Sequence, residues 1–191
     1  MSADRGRKSS LVVRPAWAGD AAAIAAVQIA GWRAAYRGIM PDSHLAALDG
    51  AARAVFWGSM FDPTGAVRPG LLAPRVAVHG DQVVGFVAIG EAGAAGGADG
   101  EASDGVADEG RVFAIYADPA WWGRGVGFVL LSVACEVLRD NGFTLARLWV
   151  LADNTRARRF YERLGWAPDG AVQQEDFGGV LLNEVRYACA L

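Results

Sequence analysis

Apolar positions recur along this chain with two different spacings, and the switches between them mark the elements. Residues 11–14 form a short apolar run that stops at Pro15, which predicts a strand. Asp20 is suited to cap a helix, and beyond it Ile24, Val27 and Gly31 fall on one helical face that leads to Trp32 and Tyr36. Gly38 and Pro41 break that pattern. Asp42 or Ser43 offers a cap for a second helix ending near Gly50, residues 51–61 read as a further helical piece, and residues 63–74 read as a loop. Two strands, 75–79 and 82–90, flank Gly80-Asp81, a hairpin signal. Gly85 inside the second of them predicts a bulge or a close approach by another backbone.

The pattern then lapses. Residues 91–110 hold six acids (Glu91, Asp99, Glu101, Asp104, Asp108 and Glu109), many Gly and Ala, and no base. That composition predicts a flexible acidic loop, either a solvated hairpin insertion or a flap that attracts a cationic substrate. Periodicity returns with a strand at 112–117, a helix at 128–138 ended by Asn141-Gly142, and a strand at 144–151. Asp153 or Asn154 caps a helix with Ala157, Phe160, Tyr161 and Leu164 on one stripe, and Gly165 stops it. Residues 166–179 suggest an irregular strand with a turn at Gly178-Gly179, and 180–188 a last strand. A strand–helix–strand unit with hairpins on either side implies an α/β sheet of mixed direction.

Composition narrows the picture. The chain of 191 residues, 53% of them hydrophobic, suits one domain over 10–191 with a disordered tail at 1–9. A net charge of −3 argues against a nucleic-acid partner. The polar start carries no signal-peptide pattern and no apolar run reaches the roughly 18 residues of a membrane span, so a soluble, cytoplasmic protein with no membrane partner is expected. Cys135 and Cys189, far apart in sequence, form neither a metal spacing nor a redox pair and read as free thiols; no metal is expected.

Residues 118–127 carry the candidate chemistry. Asp118-Pro119 closes a strand, Gly123, Gly125 and Gly127 follow with Arg124 among them, and a helix starts. A helix start exposes unpaired N–H groups, and glycines give an anion access to them. The stretch therefore fits a phosphate or pyrophosphate, and fits a plain tight turn as well. Two common phosphate motifs are excluded: no Lys follows Gly127, and the spacing is G-x-G-x-G rather than that of a dinucleotide fingerprint.

The segment Trp122-Gly123-Arg124-Gly125-Val126-Gly127 resembles motif A of the GCN5-related N-acetyltransferase (GNAT) superfamily, [QR]-x-x-G-x-[GA]. Residues 154–166, NTRARRFYERLGW, are similar to the family's N-x-x-A-x-x-F-Y-x-x-x-G-F, and the start and end of the chain resemble bacterial members. The resemblance implies a mixed, mostly antiparallel sheet flanked by helices, with a splayed strand pair that holds acetyl-CoA. It implies an N-acetyltransferase in which an amine, on a small molecule or a peptide, attacks the thioester directly.

Carried over residue by residue, N–H groups of Arg124, Gly125, Val126 and Gly127 hold the pyrophosphate. Trp122 and Gly123 belong to the same motif. Backbone of Ile115, Tyr116 and Ala117 pairs with the pantetheine arm, and the N–H of Ala117 meets the oxyanion. Asn154 lies near the same arm, or is a helix cap only. Tyr161 is the general acid, or a packed core residue only. Trp32 and Tyr36 are candidates to line the acceptor pocket, or pack the first helices on the sheet.

Two positions depart from the family pattern. Trp122 stands at the [QR] position, and Arg111 stands where a Glu that helps deprotonate the amine is common. Glu109 lies two residues earlier, His44 and His79 read as structural, and the base stays unassigned. An acyl-CoA-binding sensor and a purely structural domain remain open alternatives, and edge strands near the C-terminus make a homodimer plausible.

Overall fold

The structure is a computed structural model that describes residues 10–68, 72–92, 108–177 and 179–191. The expected tail at 1–9, most of the acidic loop and Gly178 lie outside the described residues. Seven strands form one sheet: β1 (Leu11–Pro15), β2 (Arg75–His79), β3 (Gln82–Glu91), β4 (Glu109–Ala117), β5 (Leu145–Leu151), β6 (Ala167–Asp176) and β7 (Leu181–Ala190). Their order is β1-β2-β3-β4-β5-β7-β6, and β4–β5 is the one parallel pair among them. The helices are α1 (Ala21–Ala35), α2 (Asp42–Ala46), α3 (Gly50–Gly58), α4 (Val126–Asp140) and α5 (Thr155–Arg163). The mixed, mostly antiparallel sheet flanked by helices is as the sequence implies.

Alternation on the strands divides the core. Val76, Phe86, Ala88 and Ala114 pack under α1 and α3 with Ile24, Val27 and Trp57. Ala77, Val87, Ile89 and Val112 face α4 with Leu130, Leu131, Ala134 and Leu138. Gly85 brings the expected irregularity, but the atoms that press closest are side chains rather than another backbone. The β2–β3 register shifts beside it, and a Cβ there would stand 2.7 Å from Val126 and 2.9 Å from Leu130. Its missing side chain lets the start of α4 press on the sheet.

Several local readings need correction. Asp20 does not cap α1, because its carboxylate binds the Arg14 guanidinium through two hydrogen bonds, 2.7 and 2.9 Å, and accepts the Trp17 N–H. Neither Asp42 nor Ser43 caps α2, which follows Pro41 with no side-chain cap, while Asp49 caps α3 through the N–H groups of Ala51 and Ala52. The acidic stretch ends earlier than its composition suggests. β3 runs to Glu91 and β4 starts at Glu109, where Glu109 is buried and ion-paired with Arg147.

The parallel pair decides where a cleft can form. β4 and β5 are joined only from Glu109–Leu145 to Arg111–Arg147. The β3–β4 register then shifts, with Phe113 as the extra residue on β4. A bulge bends the strand that carries it. Past that point Val112–Ala117 on one side and Leu148–Leu151 on the other line opposite walls of an opening, the splayed pair that the family resemblance implies.

Candidate active site

The opening between β4 and β5 is a cleft of about 400 Å³. The glycine turn borders it through Trp122, Gly123, Gly125, Val126 and Gly127, α5 through Arg156 and Tyr161 with Asn154 at its cap, and α1 through Trp32 and Tyr36. Every residue expected at the site borders this one cleft except Arg124, whose guanidinium lies over the Trp121 ring, 5.1 Å from its centroid.

The turn is shaped by backbone. Gly123 and Gly125 have φ of 75° and 82°, in the left-handed region where a Cβ is strained. Gly125 is the residue before α4, and the first N–H groups of a helix have no intrahelical acceptor. The N–H of Arg124 does not join them, because it donates to the Trp121 carbonyl at 3.3 Å. The N–H groups left open at this helix start are thus those that follow Arg124.

Alternation also sorts the β4 residues. Asp118 N–H donates to Val84 on β3, so the N–H of Ala117 points the other way, into the cleft, as does that of Ile115. Tyr116 differs from expectation. Its backbone belongs to the β3 ladder, and it contributes its hydroxyl instead, 3.0 Å from that of Tyr36. The Trp122 indole donates to the Ala117 carbonyl at 3.0 Å, and the Arg156 guanidinium stacks on its ring at 3.6 Å. Trp122 therefore locks the strand end to the turn and holds a cation from α5 beside the glycines.

Asn154 is a cap: its side chain accepts the Ala157 N–H at 3.1 Å, and it also borders the cleft. Tyr161 is 7% exposed and packs against Phe160, Trp166 and Tyr187. Burial, and next the neighbouring Tyr36, push its phenol well above the usual range, so it stays protonated. Burial likewise lowers Arg156.

The Trp32 ring meets Tyr36 and Phe177 edge-on, at 5.5 and 6.1 Å. His44 stacks on Trp32, His79 meets the Trp121 ring at a tilt, and neither borders the cleft. The early start of β4 brings Glu109 into the strand, but its carboxylate turns to Arg147. Sequence reasoning missed Phe177, Arg156 and Glu184, all of which border the cleft. The signal for Glu184 was an acid within the last strand, LLNEVRYACA.

A family model described as the acetyltransferase (GNAT) family matches residues 32–166. The chain belongs to that family. This GNAT chain is 46% identical over 57 residues to a mycothiol acetyltransferase from Rhodococcus erythropolis (strain PR4 / NBRC 100887), a match that covers 30% of this chain and 19% of that one. It therefore spans only a small part of that relative. Its fold matches the PaiA N-acetyltransferase from Thermoplasma acidophilum in complex with coenzyme A (TM-score 0.64, 17% identity, 92% of this chain and 98% of that one). It also matches YncA, a putative acetyltransferase from Salmonella typhimurium with its cofactor acetyl-CoA (TM-score 0.67, 21% identity, 95% and 94%). Among the described residues of this GNAT chain, no helix is long and apolar enough to cross a membrane.

Proposed function

We propose that the protein transfers the acetyl group of acetyl-CoA to a primary amine by direct attack. One observation carries this reading: a buried phenol, Tyr161, borders the same cleft as the N–H groups of a helix start and a free strand edge. The N–H groups of Gly125, Val126 and Gly127 take the pyrophosphate, with Arg156 beside them. The β4 edge at Ile115 and Ala117 aligns the pantetheine arm. Asn154 fixes the start of α5, and so the place of Tyr161.

The amine nitrogen bonds to the thioester carbon, and the N–H of Ala117 faces the oxygen that gains charge. As the C–S bond breaks, the departing thiolate takes the Tyr161 proton. Trp32 and Tyr36 border the acceptor end. A sensor without catalysis and a structural domain are not favoured, because neither needs a proton donor in the cleft.

Thermal unfolding with acetyl-CoA tests the donor site. A ligand at about 100 times its Kd adds about 2.7 kcal/mol. No shift at millimolar acetyl-CoA would remove this reading. Release of free thiol upon addition of primary amines separates transfer from binding alone.

A further inference from the structure

We propose that Glu184 is the general base, and that the acceptor is a cationic primary amine on an apolar body, held between Glu184 and the Trp32–Tyr36–Phe177 aromatic cluster. This rests on the acetyl-transfer reading and extends it to the acceptor.

An alkyl amine with a pKa near ~10 is almost wholly an ammonium at neutral pH and has no lone pair to attack with. Some group must take its proton. Among the described residues that border the cleft, Glu184 is the only carboxylate, and no His or Lys is present. The other acids nearby do not border the cleft. Glu109 pairs with Arg147, Asp118 accepts the Ala120 N–H, and Glu162 accepts the Tyr187 hydroxyl.

Glu184 is held where a base is needed. It is 7% exposed on β7, opposite Leu151 at the end of β5, three residues before the Asn154 cap of the helix that carries Tyr161. Gln173 on β6 donates to one carboxylate oxygen at 2.9 Å, which orients the group. The aromatic rings, packed edge to face, offer an apolar wall to the body of the acceptor. Desolvating an ammonium beside a carboxylate brings their proton affinities together, which favours transfer.

The step balances. The ammonium gives one proton to Glu184. The nitrogen bonds to the acetyl carbon as the C–S bond breaks. The thiolate takes the Tyr161 proton, and the nitrogen's surplus proton restores the phenol. Glu184 then releases its proton to solvent, so the products are amide, free thiol and one H⁺.

The test uses the full chain with acetyl-CoA and two acceptors, 2-phenylethylamine and trifluoroethylamine; the second is largely unprotonated near neutral pH. Glu184→Gln should lower kcat/KM for 2-phenylethylamine about 100-fold and flatten the low-pH limb of its profile, while the rate with trifluoroethylamine changes less than threefold. Gln173→Leu, which removes one hydrogen bond to the carboxylate, should give a smaller loss with the limb retained. Wild-type rates and an unchanged limb in Glu184→Gln would overturn the base. Equal losses with both amines would also overturn it, as would a protein stabilised by acetyl-CoA that acetylates neither 2-phenylethylamine nor spermidine. A protein that acetyl-CoA does not stabilise fails at the earlier step, the acetyl-transfer reading itself.

Discussion

At one end of the cleft, the groups proposed to meet acetyl-CoA belong to the main chain: the N–H groups at the start of α4 and the free edge of β4. At the other end they are side chains, drawn from α1, α5, β7 and the residue after β6. A backbone site tolerates changes of side chain as long as its dihedrals survive. A side-chain site changes its partner when one residue changes. The contrast explains how Trp122 can stand at the [QR] position. The helix start keeps its N–H groups, and the tryptophan instead anchors the Ala117 carbonyl and stacks with Arg156.

If the two ends are separable, variants should divide their effects between acetyl-CoA affinity and turnover. The largest effect is expected for Tyr161→Phe, which removes the proposed proton donor but keeps the ring packed. Turnover should fall about 100- to 1000-fold with acetyl-CoA affinity within twofold, read by steady-state kinetics and calorimetry. Full turnover would remove Tyr161 from the chemistry.

Gly125→Val tests the backbone end. A Cβ there would meet no atom within 4 Å, but φ is 82°. The strain of about 1–2 kcal/mol should weaken acetyl-CoA binding about 5- to 30-fold, or lower stability by that amount, with little change in the turnover of saturated enzyme. Trp122→Ala should weaken acetyl-CoA binding about tenfold through loss of one hydrogen bond and the stacked cation, and Trp122→Phe should recover part of it. Unchanged affinity in Trp122→Ala would show that the turn holds its shape without the indole.

The smallest kinetic effect is expected outside both ends, at Arg14–Asp20. Burial pushes the Asp20 carboxyl up, but hydrogen bonds from Arg14 and the Trp17 backbone outweigh it and hold the group below the usual carboxylate range. A depressed carboxylate contributes stability above its unfolded pKa of about 3.9 and loses it as pH falls through the lower folded value. Asp20→Asn should therefore lower Tm at pH 7 by the equivalent of about 1–3 kcal/mol. The difference from wild type should shrink below about pH 4, with kcat unchanged at 25 °C. A penalty that persists at low pH would mean that the carboxylate's charge contributes nothing.

Much of the fold was legible because its signals are local. The hairpin at Gly80-Asp81 and the α5 stripe of Ala157, Phe160, Tyr161 and Leu164 lie within a few residues of one another, where period and turn chemistry act. Caps were legible only in part. Asn154 binds an N–H group of its own helix, Asp49 caps α3 where no cap was read, and Asp20 is claimed by Arg14 on β1, a partner that no local pattern reveals. The acidic stretch misled at its end. Glu109 looks like one more loop acid until Arg147 on β5 draws it into the sheet.

The sequence by itself determined the glycine turn, the helix behind it and the tyrosine stripe of α5, because short-range spacing and backbone sterics encode them. Only the tertiary structure decided what faces the cleft. The bulge at Phe113 parts β4 from β5, and the pairing of Leu151 with Glu184 brings a carboxylate from the last strand to the end of the cleft. That pairing joins residues 33 positions apart, and its register depends on the packing of the whole sheet rather than on either segment. Arg111 and Glu109 show the same rule in reverse. They stand in the part of β4 where an acid for the cleft was sought, and the fold puts the acid in an ion pair and the cation at the opening.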